Sequence, residues 1–260
     1  MLVDDGVVAE LAQLIELAPL HMEPAVAALR EARAQFPELP HVAVFDTAFH
    51  ATIPEEAATY ALPVRARTEF GIRRYGFHGL SVQWAAEQVR VERLVVCHLG
   101  GGCSVTAVRD GRSVDTTMGF TPLEGVPMAT RPGSVDPGAL LYLLRRHVTL
   151  DELDHLLEHE SGLLGVSGIS GGVKELENSD DRGAALALRV FTYRVATASG
   201  AMAVALGGLD ALVFTAGIGE HSEAVRDAIC ERLDFLRPFD VVVVEAREDV
   251  VAARAARALL

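Results

Sequence analysis

Two glycine-rich turns carry the first chemical signal in this sequence. Gly100-Gly101-Gly102 stands between two apolar, β-branched runs, and Gly217-Ile218-Gly219 follows a third such run and precedes a helix-like stretch. Without a Cβ, such turns let backbone N–H groups approach a phosphate or a nucleotide closely. Neither is a Walker A loop, because G-x-x-x-x-G-K-[ST] occurs nowhere. Neither is a dinucleotide fingerprint, since the third glycine is absent from both. Taken singly, each also fits ordinary turn chemistry.

Five side chains join them as candidates: Asp46, His78, His98, Glu124 and Arg131. His78 lies in RRYGFHG, preceded by an aromatic residue and flanked by glycines; a lone histidine there also reads as a hydrogen-bonded core residue. Arg131 is followed by Pro132-Gly133, which places it in a rigid loop rather than on a solvated helix face. Arginine offers a planar, permanently charged fork suited to phosphate oxygens. Together the five read as a phosphoryl-transfer set. The cysteines contribute less. Cys97, Cys103 and Cys230 are odd in number and lack C-x-x-C spacing, which argues against a zinc site or a disulfide framework. Cys97 and Cys103 are spaced to face each other across a hairpin, although buried, inert cysteine is the commoner outcome.

The chain around these residues has 260 residues and a formal net charge of -13, with no block of Lys and Arg. A nucleic-acid partner would select a basic face, so that class is disfavoured. Half of the residues are hydrophobic, 50%, and 23% are charged, a balance that permits a sizeable core. Stretches such as Leu209–Phe214 are far too short to cross a bilayer, and no signal peptide opens the chain. The reading is a soluble, cytoplasmic protein without a membrane partner.

The elements that must position the candidates follow from periodicity. Val7–Leu17 predicts a helix, and Pro24 suits the first turn of a second one that Pro37 and Pro40 close. His41–Phe45 reads as a short buried strand that delivers Asp46 at its end. LVVCHLG, SVTAV and the run after Asp110-Gly111 predict three strands joined by tight turns. Leu140–His147 is apolar enough for a buried helix, and Thr149 with Glu152 makes a capping box for Leu150–His159. Asp181–Leu206 predicts a long helix stopped by Gly207-Gly208. Leu209–Phe214 is a further strand, Ser222–Leu233 a helix, Val241–Val244 a strand, and Asp249–Leu260 a terminal helix. Strands and helices alternate, which makes this an α/β protein.

A strand–Gly turn–strand hairpin paired with a later strand–Gly turn–helix is the pattern of actin- and hexokinase-like phosphotransferases, and it strengthens the nucleotide reading. The resemblance then becomes specific. VFDTAFH (44–50), RRYGFHG (73–79), HLGGGCS (98–104), SVDTTMGFTPLEG (113–125), SGLLGVSGIS (161–170) and FTAGIGEHS (214–222) resemble successive motifs of the acetate kinase family, in the family's order and over nearly the whole chain. LAPLH (17–21) fits as well. The resemblance implies a ribonuclease H-like, actin/hexokinase-type duplicated domain in which the first domain is incomplete. Residues 1–50 would be a remnant of that acyl- and phosphate-side domain. Residues 51–245 would form the second, nucleotide-binding domain, and 246–260 a helix returning to the first. The implied reaction moves the γ-phosphoryl of ATP reversibly to acetate, giving acetyl phosphate and ADP, in a homodimer that uses Mg2+.

By similarity, Asp46 is the acid/base or magnesium-organising residue, and His78 and Arg131 stabilise the in-line transition state. His98, Leu99, Gly100, Gly101 and Gly102 would hold phosphates. Ala216, Gly217, Ile218, Gly219 and Glu220 would hold the adenosine. Gly172, Val173 and Lys174 stand where the family carries a nucleotide-contacting D-x-R. Glu248 matches the family's magnesium-binding Glu, with the neighbouring Asp249 as the alternative register. Departures accompany the match. The family's N-x-G-S-S-S-x-K loop is absent from this sequence, Gly101 replaces a usual Asn, Leu80 and Val82 replace Thr and His, and the region between Leu236 and Phe239 is short. The expectation is an N-terminally truncated member whose residues 1–50 expose an apolar face. The competing readings are a non-catalytic nucleotide-binding or dimerising remnant, and a propionate or butyrate kinase.

Overall fold

Asp4 accepts a hydrogen bond from the Val7 amide at 2.8 Å and so starts helix α1 (Asp5–Gln13), against which helix α2 (Pro19–Gln35) packs. The computed structural model describes residues 1–15 and 19–260; the far end of the first expected helix and the LAPLH stretch lie on or against residues 16–18, outside the described residues. One proline departs from expectation. Pro19 opens α2, and Pro24 lies inside the helix, where its missing N–H forgoes one backbone bond. His41–Phe45 is not a buried strand. Val42 makes a single antiparallel bridge with Leu2, and Phe45 is exposed, because among the described residues no longer ladder forms along this segment. Met1, Leu2, Leu14, Phe36 and Leu39 also meet solvent, so the described residues of the 1–50 segment do present the expected apolar surface.

A 3₁₀ turn (Ala48–Thr52) and helices α3 (Glu55–Ala58), α4 (Val64–Phe70) and α5 (Gly79–Gln88) lead into the sheet. Strands β1 (Arg93–Leu99), β2 (Cys103–Arg109) and β3 (Arg112–Thr116) form an antiparallel meander. Asp110 and Gly111 both have positive φ, the conformation that a tight two-residue hairpin requires. Helices α6 (Pro137–Arg145), α7 (Leu150–His159), α8 (Gly162–Ser167), α9 (Val173–Glu177) and the long α10 (Arg182–Leu206) follow. The capping box at Thr149 and Glu152 is present, and Gly207 closes α10 in a left-handed conformation. The chain returns as β4 (Ala211–Thr215), α11 (Ala216–His221), α12 (Glu223–Arg232), β5 (Asp240–Val243) and α13 (Glu248–Arg257).

The sheet order is β3-β2-β1-β4-β5, antiparallel across the meander and parallel from β1 through β4 to β5. Successive side chains on a strand point to opposite faces, and the sequence fills both. Val95, Cys97, Leu99, Val105, Leu212 and Phe214 join Phe191, Val195 and Leu206 of α10 in the larger core. Leu94, Val96, Val108 and Val213 meet Val82 and Ala85 of α5 in the smaller one. Cys97 pairs across the hairpin with Val105 and Cys103 with Leu99, so these cysteines do not face each other; all three are free and buried. Helix α6, expected to be buried, buries none of its residues, and Leu141 and Tyr142 are exposed. Apolar content alone did not reveal how little packs against it, α7 being its main neighbour among the described residues. No helix among the described residues is long and apolar enough to cross a membrane.

Candidate active site

Two parallel strands deliver the two glycine turns to one end of the sheet, with His98 at the end of β1 in register with Thr215 at the end of β4. A methyl group on Gly100 would stand 3.5 Å from the Ala216 Cβ, so the turns are neighbours. The Gly100 amide donates to the Gly102 carbonyl at 3.0 Å, closing the first turn. The second turn is itself helical. Residues 216–221 form α11, with Ala216 at φ +65°, a conformation that non-glycine residues seldom adopt and that concentrates at functional sites.

Arg131 enters from the loop after Met128, which the Ala129 amide ties to the Gly101 carbonyl at 3.2 Å. Its side chain is buried, with Nη1 donating to the Pro122 carbonyl at 3.0 Å. A methyl group on Gly102 would stand 3.0 Å from Arg131 Nη2 and 3.0 Å from His78 Nε2, so two nitrogen atoms converge over that glycine. Among the described residues, no carboxylate lies within ion-pair distance of Arg131. Burial lowers its pKa, and the negative charge of Glu158 on α7 partly offsets that. A buried charge without a carboxylate partner is expensive, and an anion in the space over Gly102 would offset that cost.

His78 sits at the N-terminus of α5 with φ +60°. Asp46 caps that terminus from outside. Its Oδ2 accepts from the His78 amide at 2.6 Å, its Oδ1 from the Leu80 amide at 3.2 Å, and its carbonyl from the Gly79 amide at 2.8 Å. A carboxylate here complements the helix dipole and fixes where the His78 ring leaves the backbone. The rings of His78 and His98 stack with centroids 3.9 Å apart. Their Nδ1 atoms lie 3.0 Å from Ser104 Oγ and 2.8 Å from Ser81 Oγ, respectively. Burial first, and the neighbouring His78 second, hold the pKa of His98 well below the ordinary histidine value.

Glu248 opens α13, whereas Asp249 is held by Arg247 through bonds of 3.0 and 3.1 Å. Glu248 keeps solvent contact, yet partial desolvation raises its pKa, and the charge of Asp46 adds to the rise. Asp46 and Glu248 are thus electrostatic neighbours, and hard carboxylate oxygens of this kind suit Mg2+. Among the described residues, no group of three or more His, Cys, Asp or Glu gathers as a metal cluster. Glu220 is engaged elsewhere: its Oε1 accepts from the Ala246 amide at 3.0 Å, and Trp84 Nε1 donates to the Glu245 carbonyl at 2.9 Å, together fixing the chain that leads to Glu248.

Gly172 precedes α9, where Val173 is buried and Lys174 exposed. Glu177 of the same helix accepts from Ser222 Oγ, which ties this segment to the α11–α12 junction. Glu124 departs from the expected set. Its carboxylate is taken by Arg74 Nη2 at 2.9 Å and by the Tyr60 hydroxyl, so it braces the loop after β3. Ser81 and Ser104 escaped attention in the sequence because serine recurs everywhere; their one signal was a place inside motifs already quoted.

With this geometry established, three comparisons bear on its ancestry. A family model described as the acetokinase family matches residues 1–253. An acetate kinase of Synechococcus sp. is 46% identical over 95% of this chain and 70% of its own length. One from Nostoc punctiforme is 46% identical over 91% of the chain and 61% of its own length. The chain therefore spans about three fifths to seven tenths of the relatives it matches. Among solved structures, a propionate kinase from Francisella tularensis superposes with a TM-score of 0.92 at 35% identity, covering 96% of this chain and 73% of that one. An acetate kinase from Porphyromonas gingivalis gives 0.90 at 33% identity, covering 100% of this chain and 74% of that one.

Proposed function

This chain belongs to the acetokinase family, and from that premise we propose that it moves the γ-phosphoryl of ATP reversibly to acetate, giving acetyl phosphate and ADP. Its fold is the actin/hexokinase-like α/β type of its structural relatives. The observation that carries the functional reading is the buried Arg131, which has no carboxylate partner among the described residues and whose Nη2 converges with the Nε2 of His78 over Gly102. Phosphoryl transfer between two oxygens asks a protein mainly for alignment and charge neutralisation. Arg131 would spread the charge of the transferring group, and His78 would donate a hydrogen bond to the same oxygens.

The acceptor is itself a carboxylate, already ionised at neutral pH, so no base need remove a proton from it. Asp46 then acts by orientation, capping α5 and setting His78. Asp46 and Glu248 would hold Mg2+, which when bound supplies further neutralisation of the phosphates. His98–Gly102 would face the phosphates, Ala216–Glu220 the adenosine, and Gly172–Lys174 the nucleotide's flank. Residues 51–245 serve as the nucleotide-binding domain, and residues 1–50 with 246–260 serve the acyl side. Free, buried cysteines fit a reducing cytoplasm, and we expect a homodimer with no nucleic-acid or membrane partner.

The test is acetyl phosphate formation from acetate and Mg-ATP, trapped with hydroxylamine, with propionate and butyrate in parallel. Turnover fastest with acetate supports the proposal. Nucleotide binding without turnover on any of the three acids would favour the non-catalytic nucleotide-binding reading instead.

A further inference from the structure

Three histidines share one arrangement, and the protonation of one of them reveals that of the other two. His50 places Nε2 2.9 Å from the Phe77 carbonyl and Nδ1 2.9 Å from Ser113 Oγ. A carbonyl can only accept, so Nε2 carries the proton and Ser113 donates to Nδ1. His98 and His78 repeat the serine half of this pattern, with Ser81 Oγ at 2.8 Å and Ser104 Oγ at 3.0 Å from their Nδ1 atoms.

Both of those serines are fully buried, at 0% exposure. A buried hydroxyl whose single proton finds no acceptor loses about 1–3 kcal/mol. Among the described residues, neither Oγ has another hydrogen-bond partner. The carbonyl four residues before Ser81, that of Phe77, lies outside α5, which starts at Gly79 behind a left-handed His78, and it already accepts from His50. Each serine proton therefore points at Nδ1, which leaves the imidazole proton on Nε2. Those Nε2 atoms lie against the glycine turn. Methyl groups on Gly102 and Gly100 would stand 3.0 Å from His78 Nε2 and 3.9 Å from His98 Nε2.

We propose that Ser104 and Ser81 are positioning residues that hold His78 and His98 as Nε2–H tautomers, so that both rings present neutral N–H donors to an oxyanion over Gly100–Gly102. The oxyanion half rests on the phosphoryl-transfer reading; the tautomers do not. The assignment also removes Nε2 as a general base, since its lone pair is occupied by a proton. Ring stacking is consistent with this, because two imidazolium cations at 3.9 Å would repel, so the two rings do not both carry charge.

The test is long-range proton–nitrogen correlation of the whole chain labelled with ¹⁵N-histidine at pH 7.5, with His50 as the internal reference. His78 and His98 are expected to show the His50 pattern, a bare Nδ1 and a protonated Nε2. A proton on Nδ1 of either ring overturns the proposal. Ser104→Ala is expected to move His78 toward mixed tautomers while His50 stays unchanged, and Ser104→Thr, which keeps the hydroxyl, to restore the pattern. An unaltered His78 in Ser104→Ala would overturn the positioning role. Should that variant fail to fold, the unsubstituted chain and Ser104→Thr still decide the tautomer.

Inorganic phosphate titrated into the same sample is expected to shift both Nε2 resonances and leave His50 still. Ser104→Ala should need about threefold to tenfold more phosphate for the same shift, the loss expected for one well-placed hydrogen bond. Nε2 resonances that ignore phosphate would overturn the donor role. Acetyl phosphate formation enters neither readout, so failure of the kinase reading and failure of this one are separately visible.

Discussion

A single methyl group at residue 102 tests how closely Arg131 and His78 are drawn together. The added carbon of Gly102→Ala would stand 3.0 Å from a nitrogen of each, at the ends of side chains rather than against backbone. Those ends can give by a few tenths of an ångström, so unfolding free energy should change by only about 0.5 kcal/mol, the usual range for a tolerated substitution. The proposed anion site has no such slack. ADP affinity by calorimetry should fall at least tenfold, and an unchanged affinity would place the phosphates elsewhere. Arg131→Ala, assayed by hydroxylamine trapping, should lower kcat by roughly 10³ or more with a smaller change in the KM for ATP. His50 makes a separate, acid-side prediction. Burial lowers its pKa below the ordinary value near 6.5, so the unfolded chain binds its proton more readily than the folded one. Its stabilising share is full above pH 6.5 and is lost as pH falls below it toward the folded-state pKa. The raised carboxyls of Asp115, Glu158 and Glu248 act in the opposite sense. Urea unfolding of His50→Gln against the unsubstituted chain isolates the histidine. The variant should show a pH dependence flatter by up to one proton between pH 6.5 and 5, and parallel curves would refute the assignment. At this scale Arg131 and His78, singled out for their types and rigid flanks, do come together over Gly102. Ser81 and Ser104 were not legible in the sequence, and Glu124 misled because its partners Arg74 and Tyr60 lie far away in sequence.

Elements whose ends are set by their own residues were the legible ones. The Thr149–Glu152 capping box, Asp181 and Gly207 around α10, and the Asp110-Gly111 hairpin all act within four residues of themselves. Elements decided by distant partners were misread: the lone bridge at Val42 in place of a strand, and the solvated α6. The start of α5 belongs to a third kind, a junction between elements, and it yields a sharp prediction. A Cβ on Gly79 would lie 2.1 Å from the Asp46 carbonyl, which is backbone and cannot rotate away. Gly79→Ala should therefore push Asp46 off the helix terminus and cost about 1–3 kcal/mol in denaturant unfolding, the range for overpacking. A variant as stable as its parent would show that the junction can relax. The start of α13 is set from a distance by Glu220. Glu220→Gln keeps an oxygen for the Ala246 amide, whereas Glu220→Ala does not. Hydrogen exchange at Ala246 should quicken only in the alanine variant, corresponding to about 0.5–1.5 kcal/mol for the lost bond. Equal quickening in both would mean that the charge, rather than the hydrogen bond, holds this segment.

Across the whole molecule, the two faces of the sheet are unequally sealed, and the site straddles them. On one face α10 buries Phe191, Val195, Ala203 and Leu206 among others, and Met128 anchors the Arg131 loop in the same core. On the other, α5 contributes Val82, Ala85 and Ala86 to a smaller core, and α13 buries only Val251. Helix α5, which carries His78, flanks an open cavity of about 830 Å³ lined by Phe49, Gln83, Arg90, Leu94 and Val108. The ion pair joining the two helices, Arg254 to Glu87 at 2.8 Å, is exposed and worth at most about 1 kcal/mol. Regions with few buried apolar contacts open below the global unfolding free energy. Native-state hydrogen exchange should therefore find α13 and α5 exchanging through a partial opening, while β1 and α10 exchange only with global unfolding. Such an opening separates His78 from His98 and from Arg131, whose supports belong to the sheet and the larger core. An anion bound over Gly102 by Arg131 and His78 would bridge the two faces and must be released first. At a hundredfold excess over its Kd it should then raise the opening free energy of α5 by about 2.7 kcal/mol. Protection gained by α5 on adding ADP, with β1 unchanged, would support that bridge. Slow exchange of α5 and α13 equal to that of α10 without any ligand would show the two faces to be one cooperative unit.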